Sequence, residues 1–114
     1  MSKREWKLFV EDILESVELI ESYVENVDLD EFEKDRKTID AVVRNFEIIG
    51  EASKYIPDDI KNNYLEVDWK GILGLRNRIA HEYFGISITI VWEIINKELP
   101  RLKEGIMDIM KQQK

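Results

Sequence analysis

The sequence predicts an all-α protein, an antiparallel bundle of four to five helices, and three observations predict it. Apolar residues recur at alternating three- and four-residue steps along most of the 114-residue chain. Capping residues precede these runs, and Pro57, Gly85 and Pro100 stand where helices should stop or bend. No internal repeat, low-complexity segment or interdomain linker separates the runs, so residues 1–114 read as one helical domain.

The first helix opens at Ser2, which forms a capping-box pattern with Glu5. Trp6, Phe9, Val10, Ile13, Val17, Ile20, Val24 and Val27 make its buried stripe, and Glu11, Asp12, Glu15, Glu18, Glu21 and Glu25 make a solvated face. Asp28 with Glu31 is a second capping box, ahead of a short turn through Leu29 and Phe32. A second long helix is expected from about Asp35 to Ile56. Its stripe is Ile39, Val42, Val43, Phe46, Ile49 and Ser53, and Ala41, Ile48, Ala52 and Tyr55 widen the apolar arc. So wide an arc fits either a central helix or one shared with a second subunit. Asp40, Arg44, Glu47 and Glu51 form one polar line on it, which suits either surface ion pairing or, for Arg44 and Glu51, the lining of a cleft. Gly50 in mid-helix predicts another element packed close over it. Pro57 closes the helix, a short connector follows to Tyr64, and a last helix from about Ser87 to Lys111 turns Ile88, Val91, Trp92, Ile95, Leu99, Leu102, Ile106 and Ile109 inward, with Pro100 kinking or restarting it.

Between the connector and the last helix, Trp69 to Phe84 reads W-K-G-I-L-G-L-R-N-R-I-A-H-E-Y-F and holds the only histidine. Asp68 is the expected N-cap and Gly85 the stop. From Trp69 to His81 there are Lys70, Arg76, Arg78 and His81 and no acidic residue, a basic island on a chain of formal net charge -7. Ile72, Leu75 and Ile79 form the apolar side of this helix, and His81 falls nearly opposite them, toward solvent, a cleft or a second subunit. The negative end of the helix dipole would favour its imidazolium form. A lone histidine there suits either a structural surface residue or a proton donor.

Several chemistries drop out. The chain has no cysteine, which removes disulfides, thiolate metal sites and thiol nucleophiles and agrees with a reducing cytoplasm. The start of the chain shows no signal-peptide core, and no apolar run approaches membrane-spanning length, so a cytoplasmic protein without membrane attachment is expected. No phosphate-binding glycine loop, dinucleotide fingerprint or zinc motif is present, so neither cofactor nor metal is expected. The acidic balance argues against broad binding to a nucleic-acid duplex. The remaining set of His81, arginines and a tyrosine suits a phosphodiester. Metal-free RNA cleavage needs one proton taken, one given, and positive charge on the phosphate oxygens. Histidine serves the first two needs and arginine the third. With one histidine per chain, a twofold dimer is the simplest source of a pair.

The stretch R-N-R-I-A-H-E-Y resembles the R-x4-H-x-Y motif of HepT-type toxins in the HEPN superfamily. The resemblance extends to N-F-E-I-I-G-E-A (Asn45 to Ala52), W-K-G-I-L-G-L-R-N (Trp69 to Asn77), H-E-Y-F-G-I (His81 to Ile86) and V-W-E-I-I-N-K-E-L-P (Val91 to Pro100), and so covers nearly the whole chain. It implies a homodimeric helical bundle with a composite cleft and metal-independent endoribonuclease activity, with Arg76 and His81 in the catalytic positions. It also implies a type VII toxin-antitoxin pairing with a minimal nucleotidyltransferase (MNT) antitoxin, which would silence the toxin by transferring AMP to Tyr83. RNA, tRNA included, would be the substrate. Arg76 and His81 lie about 140° apart on a straight helix, whereas Arg78 is one turn from His81. Arg78 is therefore expected to contact phosphate and Asn77 to orient the histidine ring, with Arg44 and Glu51 as further cleft residues. The competing expectations are a non-catalytic helical module that binds a nucleotide or a nucleotidyltransferase, and a plain dimeric scaffold.

Overall fold

The computed structural model describes residues 3–75 and 88–112. Helix α1 (Lys3–Val24) leads to α2 (Leu29–Lys34), α3 (Arg36–Ser53) and α4 (Asp58–Lys61); α5 is helical over its described residues 69–75; α6 (Ile88–Glu93) continues through a π-helical turn (Ile94–Glu98) into α7 (Leu99–Gln112). The described residues contain no strand, and the all-α bundle expected from the periodicity is what forms.

The stripes are buried as their spacing requires. Val10, Ile13, Val17 and Ile20 on α1 face Ile39, Val42, Phe46 and Ile49 on α3, and Leu102, Ile106 and Ile109 on α7 close the core. The α1–α3 pairing is the most extensive in the bundle, with α1–α7 next. Both pairs are antiparallel. Phe9 near the start of α1 stacks on Tyr55 just past the end of α3, and Glu21 late in α1 bonds Lys103 early in α7 at 2.9 Å. That bond raises the Lys103 pKa by stabilising its charged form.

The local signals explain most boundaries. Asn26 adopts a left-handed φ of 61°, and the Val27 amide bonds back to the Val24 carbonyl, which ends α1. The Asp28–Glu31 capping box is complete, with the Asp28 carboxylate accepting the Glu31 amide at 2.9 Å and the Glu31 carboxylate accepting the Asp28 amide at 3.3 Å. Asp35 caps α3 rather than opening it. Its carboxylate accepts from both the hydroxyl and the amide of Thr38, which together lower its pKa below the ordinary 3.8. The Ser2–Glu5 pattern includes a residue outside the described ones.

Two boundaries differ from expectation. Helix α3 stops at Ser53, not Ile56, because the amides of Lys54, Tyr55 and Ile56 bond three residues back and tighten the chain before Pro57 restricts it. Pro57 instead stands at the N-cap of α4. Gly50 is buried. In the last helix, where the sequence predicts a kink or restart at Pro100, a π-helical turn intervenes and regular α-helix resumes at Leu99, one residue before the proline. Proline has no N–H for the Asn96 carbonyl, and its ring crowds that carbonyl in a regular helix. The turn before it widens, so that the Leu99 amide donates to the Ile94 carbonyl, five residues back. The Asn96 side-chain amide donates to the Trp92 carbonyl at 2.8 Å within this stretch.

Candidate functional site

The predicted site helix is α5, and its entry is held at several points. The Asp68 carboxylate accepts the Gly71 amide at 3.0 Å and the Asp68 carbonyl accepts the Ile72 amide at 2.9 Å, so Asp68 is the N-cap that the sequence predicts. A Cβ at position 71 would run into the Asp68 carboxylate, so a larger residue there would displace the cap. Trp69 is buried, and its indole N–H donates to the Tyr64 carbonyl at 3.1 Å. The Lys61 ammonium lies 5.9 Å from the centre of the Trp69 ring, where partial burial lowers its pKa against the opposing pull of Asp58. Val67 fits over Gly105 of α7 so closely that a Cβ at 105 would come within 2.2 Å of it. Ile72 and Leu75 then point into the core, as their spacing requires, and Lys70 is exposed.

Arg76, Asn77, Arg78, His81 and Tyr83 lie outside the described residues, as do Ile79 and Gly85. The described part of the site is therefore the anchored approach to the motif.

Arg44 and Glu51 are brought together. Both line an open groove between α1 and α3, with Phe9, Asp12, Glu47, Ile48 and Ala52. Glu51 pairs with Lys54 at 3.1 Å, and Asp40 pairs with Arg36 at 3.4 Å, so surface ion pairing accounts for part of the predicted polar line. Arg44 makes no ion pair among the described residues, although three carboxylates line the same groove. One end of the groove carries the Phe9–Tyr55 stack, with ring centroids 4.4 Å apart and planes within 17°. Sequence spacing did not reveal that stack, since it joins residues far apart in the chain through helix pairing. Among the described residues no cluster of potential ligands could hold a metal ion, and no helix is long and apolar enough to cross a membrane.

An all-α bundle whose capped fifth helix leads straight into R-x4-H-x-Y defines a helical bundle of the HEPN type. The chain belongs to the HepT-like ribonuclease family: residues 13–109 match the family described as "Ribonuclease HepT-like". It is 41% identical over 111 residues to "Putative RNase MJ0127" of Methanocaldococcus jannaschii, covering 97% of this chain and 92% of that protein. It is also 41% identical over 101 residues to "Probable ribonuclease HepT" of Thermococcus cleftensis, covering 89% and 92% of the two chains. A further relative, "Putative RNase TTE0752" of Caldanaerobacter subterraneus, is 38% identical over 106 residues, covering 93% and 95%. No solved structure matches. Ribonuclease activity is thereby assigned to this chain at the level of its family.

Proposed function

We propose that the protein is a metal-independent endoribonuclease, the toxin of a type VII toxin-antitoxin pair, acting as a homodimer in the cytoplasm. The observation that carries the reading is the coincidence of family membership over residues 13–109 with an intact R-x4-H-x-Y motif at Arg76, His81 and Tyr83. His81 acts as the acid or base on the 2'-hydroxyl or the leaving oxygen, and Arg76 stabilises the charge that gathers on the phosphorane. Arg78 adds a phosphate contact and Asn77 orients the histidine ring. In a dimer the two chains supply the two histidines that concerted acid and base catalysis needs. A minimal nucleotidyltransferase antitoxin silences the site by transferring AMP to Tyr83, which sets a phosphate charge and a nucleoside beside the cleft and repels RNA.

The anchored α5 supports this reading. A catalytic helix has to be held to a fraction of an ångström, and the Asp68 cap, the Trp69 hydrogen bond and the Val67–Gly105 contact fix its entry. The test is cleavage of a tRNA pool in EDTA by the wild type and by His81→Ala. The expected result is cyclic phosphate ends from the wild type alone. Silence of both proteins, with no AMP on Tyr83 by mass spectrometry, would remove the nuclease reading in favour of a non-catalytic module that binds a nucleotide or a nucleotidyltransferase.

A further inference from the structure

Protein interiors leave few voids wider than a water molecule, and the space beside α5 is an exception. A cavity of about 100 Å3 lies where α3, α5 and the last helix meet. Its walls are apolar and buried: Phe46 of α3, Ile72 and Leu75 of α5, and Ile94 and Leu102 on either side of the widened turn. Val67 lines the cavity and Gly105 does not, so their close contact bounds it on one side. The π turn accounts for the gap. Ile94, Glu98 and Leu99 all line it, and a turn that holds an extra residue is wider than the α-helical turns packed against it.

Four exposed charged residues, Glu66, Asp68, Glu98 and Arg101, also line the cavity and therefore mark its opening to solvent. Three carboxylates stand against one guanidinium. Were Arg101 to neutralise one of them, two would remain, and the Asp68 cap commits only one of that residue's two carboxylate oxygens. A hydrocarbon alone suits the interior, since dry apolar cavities of about 150 Å3 take up benzene. The rim selects further, for a cation at the end of a short apolar body. A primary ammonium brings three N–H donors to a rim of acceptors. An anion would meet net negative charge there, on a chain that is itself acidic.

We propose that the cavity beside α5 is a binding site for a small primary aliphatic amine, its alkyl group held between α3, α5 and the π turn and its ammonium at the rim carboxylates. The site goes beyond the nuclease reading and does not depend on it. Ile72 and Leu75 form the inner side of α5, so an occupant adds packing to the helix that leads into Arg76 and His81.

The test is methyl NMR of the full chain at neutral pH, titrated with isobutylamine, isobutanol and isovalerate, which share an isobutyl body and differ in the head group. The expected result is saturable shifts at the Ile72, Leu75 and Leu102 methyls. The amine should half-saturate at least about threefold below the alcohol, the scale of exposed ion pairs, and isovalerate should bind weakest. High salt should narrow the gap between amine and alcohol. Ile72→Phe fills the space and should abolish the shifts at Leu75 and Leu102. If circular dichroism shows that this variant does not fold, Glu66→Gln, at an exposed position, tests the rim in its place and should bring the amine closer to the alcohol. Absence of saturable shifts with the amine, equal binding by folded Ile72→Phe, an amine no better than the alcohol, or an amine preference untouched by salt and by Glu66→Gln would each overturn the site. Because the readout is binding, a failed nuclease assay leaves the site standing, and a failed titration leaves the nuclease reading standing.

Discussion

The entry to α5 and the α1–α3 face are built in opposite ways. At the α5 entry the anchoring groups are used internally, although Leu65 and Leu73 stay exposed: Asp68 caps, Trp69 bonds Tyr64, and Val67 fills the space over Gly105. On the α1–α3 face Leu8, Tyr55 and the Arg44 guanidinium are left to solvent. The first region resists change because its neighbours have no room to move, and the second tolerates change in the isolated chain because few contacts are lost.

Three substitutions press on that contrast. The largest effect is expected from Gly105→Ala, whose methyl group would enter the space of Val67 in a buried contact; a loss of about 1–3 kcal/mol should appear as a lower urea midpoint. Asp68→Ala removes the cap and should cost about 1 kcal/mol, together with faster hydrogen exchange at the Gly71 amide, which loses its acceptor. Leu8→Ala, on the exposed face, should move the stability of the monomer by no more than about 0.5 kcal/mol in thermal melts. Were Leu8→Ala as damaging as Gly105→Ala, the contrast would collapse.

Much of the fold was legible because burial follows period. Ile13, Val17 and Ile20 predicted one face of α1, and Ile39, Val42, Phe46 and Ile49 the matching face of α3, from spacing alone. The Asp28–Glu31 box and the Asp68 cap were legible because each involves groups three residues apart. The end of α3 was less so. Pro57 limits only the residue before it, and the tightening over residues 54–56 reflects how the chain leaves the bundle. Pro100 predicted a kink or a restart, and local sequence did not reveal that the chain would meet it with a widened turn.

For the site, the motif and its charge were readable along the chain, including the cap that launches its helix. The pairing of Phe9 with Tyr55, and the groove holding Arg44 and Glu51, were not, because they arise only when α1 and α3 lie side by side. Gly105 carried a signal in retrospect, as a glycine within the apolar periodicity of the last helix, where helix propensity and packing would otherwise favour a larger residue.

The π turn before Pro100 also sets a phase. A helix advances roughly 100° per residue, so tightening Ile94–Glu98 to regular α-helix with every residue kept would turn everything upstream by about that angle against everything downstream. Pro100 opposes that tightening, and so would the interior. Trp92, whose ring lies 5.0 Å from that of Phe32, would swing out of register with α2, while Leu102, Ile106 and Ile109 stayed seated against α1. The extra residue is thus a frame marker that keeps the two halves of one continuous helix addressed to different partners.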